Sequence, residues 1–160
     1  QRQMCIRDRC LILKRNESPK IAEEDIVCHK LLICGNKEDT FLTIQMRHEV
    51  NITEPLYGMG KEDSSIMTFN KENVRVITSG FIHTFQDWDG LCEHYTNSDV
   101  YIIECIIPKG TEYYEGVDAA FDKKCFASKM ILFKTDTITP LSFIKNNIEK
   151  DEEKTIAGNK

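Results

Sequence analysis

Val100-Tyr-Ile-Ile-Glu-Cys-Ile-Ile107 decides the fold. Five of its eight residues are isoleucine or valine, and the Pro108-Lys109-Gly110 turn ends it. It is far below the roughly 20 apolar residues that a membrane-crossing helix needs. A short run with apolar side chains on both faces reads as a strand in the middle of a sheet, covered on both sides. Glu104 is its one charged residue. Two readings fit such a carboxylate: a group whose pKa burial raises, or a side chain at an uncovered sheet position facing solvent.

Outward from this strand, the pattern is mostly extended. Downstream, Tyr113–Gly116 and Phe126–Phe133 read as further strands. Thr139-Pro140 begins a closing helix with Leu141, Ile144 and Ile148 on one face. Upstream, the period switches to helical over Asp87–Tyr95. Trp88, Leu91, Cys92 and Tyr95 follow i, i+3, i+4, i+7 spacing, with Asp87 placed to cap. Gly80–Phe85, Val74–Ile77, the alternating Thr40–Met46 and Asp25–Cys34 read as strands. His48–Asn73 is a long polar excursion with one short strand at Ile66–Phe69. Ser18-Pro19 followed by Glu23 and Glu24 reads as the capped start of a short helix. The class predicted is α+β, a mostly antiparallel sheet with a few short helices in one domain over 10–150. Residues 151–160 form a charged tail.

Composition narrows the function classes. The 160 residues are 41% hydrophobic and 29% charged, which suits a folded domain and argues against wholesale disorder. Net charge is −5; the first nine residues, with three arginines and one aspartate, carry +2, so the rest carries −7. An acidic body without a basic stripe is a poor partner for a phosphate backbone, so no nucleic acid is expected as partner, and no membrane either. Residues 1–9, QRQMCIRDR, resemble the translation of a sequencing adapter and are set aside as an artefact. They lack the apolar core of an export signal, which makes the cytoplasm the expected location. The seven cysteines form no Cys-x-x-Cys pair and read as small buried hydrophobes in a reducing compartment. A zinc site on Cys28, His29 and Cys34 would need a distant fourth ligand, so no metal and no cofactor are expected.

Two stretches carry candidate chemistry. In Ser79-Gly-Phe-Ile-His83-Thr84-Phe85-Gln86-Asp87-Trp88, an extended backbone puts Phe81, His83 and Phe85 on one face. With Trp88 following, they form either a stacking pocket with one polar handle or ordinary core. In Pro108-Lys109-Gly-Thr-Glu-Tyr113-Tyr114-Glu-Gly116, a turn lysine beside paired tyrosines suits a phosphate and a base. Alternatively the two tyrosines simply point to opposite faces of a strand. No nucleophile elbow, P-loop, dinucleotide fingerprint or His-Glu-x-x-His occurs, and no catalytic residue is assigned.

Several segments resemble a family of short uncharacterised proteins of gut bacteriophages and Bacteroidales. They are Cys10-Leu11, Ala22-Glu-Glu-Asp-Ile-Val-Cys-His-Lys30, Gly80-Phe-Ile-His-Thr-Phe85, Ile106-Ile-Pro-Lys-Gly-Thr-Glu-Tyr-Tyr-Glu-Gly116 and Ala127-Ser-Lys-Met-Ile-Leu132. Similar members begin Met-Cys-Leu, which would make Cys10 the second native residue. A more distant likeness is to the ADP-ribosyltransferase fold, where an apolar strand precedes Pro-Lys-Gly and a later strand bears a catalytic glutamate. The matching positions here are Ile106–Gly110 and Ala127–Phe133; the latter has no carboxylate. His29 would stand at the first-strand position of that fold.

The function expected is non-catalytic binding of a nucleotide-like or NAD-derived small molecule, in one version a host signalling nucleotide sequestered in the host cytoplasm. His29, His83, Thr84, Phe85, Trp88, Lys109, Tyr113 and Tyr114 would line the site. The alternatives are a divergent ADP-ribosyltransferase-like enzyme using His29, His83 and Glu104 or Glu115, and an interaction or scaffold domain without a ligand site.

Overall fold

The computed structural model describes residues 11–14, 17–43, 48–69, 71–87, 99–118 and 123–143. Helical backbone among them is confined to a 3-10 turn at Thr135–Thr137 and to residues 141–143. Among the described residues every strand pairing is antiparallel. The α+β class thus gives way to an almost wholly antiparallel β fold.

The strands are β1 (Leu11–Lys14), β2 (Lys20–Ile21), β3 (Ile26–Cys34), β4 (Thr40–Thr43), β5 (Glu49–Asn51), β6 (Leu56–Tyr57) and β7 (Asp63–Phe69). After them come β8 (Glu72–Ser79), β9 (Ile82–Phe85), β10 (Val100–Ile107), β11 (Glu112–Asp118), β12 (Lys123–Ser128), β13 (Met130–Phe133) and β14 (Thr139–Pro140). The deciding stretch is β10, and it is central. All eight of its residues pair with β3 on one edge, and β13 and β14 share the other.

The local departures have identifiable causes. The helix expected after Ser18 is absent, because Lys20 and Ile21 pair with β11. Ala22 then donates to the Thr111 carbonyl at 2.9 Å and accepts from Gly110 N–H at 2.8 Å. Long-range backbone bonds outweigh a weak local capping signal. The excursion at 48–73 holds β5, β6 and all of β7. These strands are short or largely exposed, so they lack the alternation that reveals a half-buried strand. The stretch read as one strand at 126–133 breaks at Lys129 into β12 and β13. Pro140 pairs with Tyr101, so helix begins only at 141; its continuation and the helix expected at 88–95 lie outside the described residues.

The break at Lys129 closes the architecture. β10 pairs with β3, β3 with β9, β9 with β12, and β13 returns to β10. The chain from 123 to 133 therefore turns a corner and completes a ring of strands. Cys28, Leu32, Ile82, Ile103, Cys105, Ile107, Phe126 and Ile131 fill the ring. The opposite face of β9 and β12 forms a second core, where Cys125, Ala127 and Phe85 pack on Leu11, Leu13, Ile77, Phe81 and Tyr114. β1, β8 and β7 extend the sheet beyond that core.

Candidate functional site

β3 is nine residues long, and two different strands share one of its edges. His29 pairs with Phe85 of β9, whereas Leu32, Ile33 and Cys34 pair with β4. Between these pairings lie Lys30 and Leu31. At this fork a cavity of about 370 Å³ opens. Its wall combines Lys30 of β3, the β4–β5 hairpin (Thr43, His48, Glu49, Val50), the β6 segment (Leu56–Met59) and the start of β9 (Ser79–His83).

Backbone contacts brace the wall. A methyl group at Gly58 would stand 2.5 Å from the Gly80 carbonyl oxygen, so β6 and the β8–β9 turn touch main chain to main chain. Gly80 itself has φ +86°, a left-handed conformation that favours glycine. Lys129, at the corner between β12 and β13, ties the same turn: its Nζ donates to the Gly80 carbonyl at 2.8 Å and lies 4.4 Å from the Phe81 ring centre. Gly58 N–H in turn donates to the Lys129 carbonyl at 2.8 Å.

The polar groups converge from separate strands. Lys30 Nζ donates to the His83 carbonyl at 2.9 Å, which spans the fork. His83 Nε2 is 3.2 Å from the Ile77 carbonyl; a carbonyl only accepts, so that nitrogen carries the proton. His48 and Glu49 are exposed, and Tyr57 is 55% and Met59 81% exposed, so the outer wall is open. One ammonium, two imidazoles, one carboxylate and one phenol thus surround an apolar floor of Val50, Leu56, Phe81 and Ile82.

The residues singled out from sequence are distributed as follows. His83 lines the cavity. Thr84 is buried inside the ring, beside the Cys28 thiol, and its hydroxyl has no oxygen or nitrogen partner among the described residues. Phe85 packs on the second core opposite His29. His29 donates from Nδ1 to the Gln86 carbonyl at 3.0 Å and stands across from Glu104 in β10. Glu104 pairs with Lys134 at 3.1 Å. Lys109 holds its turn through its backbone N–H, which donates to Asp25 at 2.9 Å. Tyr113 meets Phe126 edge-on and lines a separate groove with Lys20, Glu23, Glu24 and Asp25. Tyr114 is buried between Phe81 and Arg75, and burial pushes its phenol up. Trp88 lies outside the described residues.

The structure therefore does not gather the seven described positions in one place. His29 is not among the residues that line the cavity with His83. His29 and Glu104 share one face of β3 and β10, and Glu115 is held by Lys20 and Lys124 on β11. The Lys124 contact, chiefly, holds the Glu115 carboxyl below its usual range. Sequence reasoning missed Lys30, His48, Tyr57 and Met59. Lys30 alone had a signal: a charge amid Ile-Val-Cys-His-Lys-Leu-Leu-Ile, the same kind of interruption that drew attention to Glu104.

Among the described residues no helix is long and apolar enough to cross a membrane, and no cluster of three or more His, Cys, Asp or Glu is arranged to hold a metal ion. No family model, curated protein or solved structure matches this chain.

Proposed function

We propose that this chain is a phage-type, non-catalytic binder of a small anionic, nucleotide-like molecule, held at the β3 fork and acting in the host cytoplasm. The observation that supports it is the convergence of Lys30, His83, His48 and Tyr57 on one open cavity. About 370 Å³ falls within the range of small-molecule sites, roughly 300–1,000 Å³. Lys30 offers an ammonium to an anionic group, Tyr57 an exposed ring for stacking, and the imidazoles hydrogen bonds to a polar edge. The acidic body favours a compact ligand over a polyanion.

Thermal-shift titration against NAD, ADP-ribose, cyclic mononucleotides and cyclic dinucleotides tests the reading. A ligand at 100 times its dissociation constant adds about 2.7 kcal/mol to native stability. For a chain of this length that is a rise of roughly 5–11 °C. At least one compound is expected to give such a rise, and Tyr57→Ala and Lys30→Met are each expected to diminish it. Tyr57 is exposed, so its variant keeps the fold even where Lys30→Met weakens the fork. If no compound shifts the transition, or if both variants respond like the parent, the cavity is not the binding site.

A further inference from the structure

Inside the ring, Cys28 of β3 and Cys105 of β10 are directly opposed in register. Both are 0% exposed and both belong to the same core, so their side chains point to the same interior. Directly opposed residues of antiparallel strands have Cα atoms about 4.5 or 5.5 Å apart, according to the hydrogen-bonding type of the pair. Both spacings lie within the window of about 4.4–6.8 Å that a disulfide accepts. Each is a free thiol, and Cys105 donates to the Ile103 carbonyl at 3.6 Å.

We propose that Cys28 and Cys105 form a reversible disulfide across β3 and β10, with hydrogen peroxide as oxidant. Cys28 shares a strand face with the Lys30 ammonium two residues on and lies beside the Thr84 hydroxyl, both of which favour its thiolate, so it reacts first. It attacks the peroxide, an S–O bond forms and the O–O bond breaks, and the departing oxygen takes a proton and leaves as water. The Cys105 sulfur then attacks Cys28; the S–S bond forms, the S–O bond breaks, and hydroxide leaves with the Cys105 proton as a second water. Two thiols lose two electrons in total, and one peroxide is reduced to two waters.

The bond would fix the most extensively paired strands of the molecule, joining the segment that bears Lys30 to the central strand. It does not depend on what the cavity holds. Cys125 supplies an internal control. It is 4% exposed, but its cross-strand partners are Gly116 and Phe85, so it has equal burial and no facing thiol.

The test uses the unaltered full chain. Reduced protein is treated with hydrogen peroxide, alkylated with iodoacetamide after denaturation, and digested without reductant for mass spectrometry. The expected product is a cross-linked pair of peptides bearing Cys28 and Cys105, lighter by two hydrogens and separated again by dithiothreitol, with Cys125 recovered as an alkylated thiol. Three results would each overturn the proposal. One is recovery of Cys28 and Cys105 as thiols at a peroxide exposure that oxidises the exposed Cys34. Another is Cys28 as sulfinic acid beside an unchanged Cys105. The third is random pairing among the seven cysteines, or oxidation of Cys125 at the rate of the pair.

Discussion

Replacing Gly58 with alanine probes the cavity wall at its tightest point. The added methyl carbon would stand 2.5 Å from the Gly80 carbonyl oxygen, 3.0 Å from Phe81 Cα and 3.1 Å from the Gly80 carbonyl carbon. Ordinary contact begins near 3.4 Å, and all three obstacles are backbone, which cannot rotate away as a side chain does. The β8–β9 turn must therefore move, and Gly80 is also the acceptor for the Lys129 ammonium. Overpacking of this kind costs about 1–3 kcal/mol, and weakening a charge-assisted hydrogen bond adds about 1 more, or about 2–4 kcal/mol together. At this length that lowers the melting temperature by roughly 4–16 °C. Gly60→Ala is the comparison. Its φ is +81° and nothing lies within 4 Å of the new carbon, so only backbone strain of about 1–2 kcal/mol applies. Urea unfolding should show a lower midpoint for Gly58→Ala with the slope unchanged, and a smaller decrease for Gly60→Ala. Gly58→Ala should also abolish any ligand-induced thermal shift that Gly60→Ala retains. If Gly58→Ala is as stable as the parent within about 0.5 kcal/mol, β6 does not close on the β8–β9 turn and the wall is wrongly built.

Two further outcomes follow from the cores and the surface charges. Ile103→Ala, at a fully buried site inside the ring, should cost about 2–5 kcal/mol in urea unfolding, whereas Leu132→Ala, 38% exposed on the outer side of β13, should cost under about 1 kcal/mol; equal losses would place the core elsewhere. Glu115 has a folded-state pKa below its unfolded value, so its stabilisation is present above about pH 4.3 and disappears as pH falls through the lower folded value. Glu115→Gln should therefore cost about 0.5–1 kcal/mol at pH 7, discounted for the 31% exposure of the side chain, and the difference from the parent should vanish in strong acid; a pH-independent difference would exclude the Lys124 and Lys20 pairs as its origin.

What the sequence disclosed depended on how deeply each segment is buried. β10 was legible because it is covered on both faces, so its apolar run reflects its place in the sheet. The opposite orientations of Tyr113 and Tyr114 were also legible, since period-two alternation follows from strand geometry alone. β7 was read only in its last four residues. Residues 63–65 are exposed and polar, and they are strand because β8 supplies partners in register, a long-range fact without a local signature. The same limit hid most of the candidate site. His83 stands in a recognisable strand, whereas His48, Tyr57 and Met59 come from the polar excursion and meet it only through the fold.

The position of the cavity follows from how two strands share β3. β9 meets β3 at His29 and β4 meets it from Leu32 onward, so the stretch that holds Lys30 lies between them, while the other edge of β3 is bonded to β10. The Lys30 side chain links this stretch to β9 by donating to the His83 carbonyl. Leucine at 30 would continue the apolar run and could not make that bond. The charge at 30 is thus a structural requirement of the fork, and it also sets an ammonium beside an opening lined by imidazoles. Lys30→Leu and Lys30→Arg together test this double role. Arginine is expected to keep both the bridge and the affinity for an anion, and leucine to lose both. Should leucine leave stability untouched, as judged by the urea midpoint, the fork is closed by something other than this side chain.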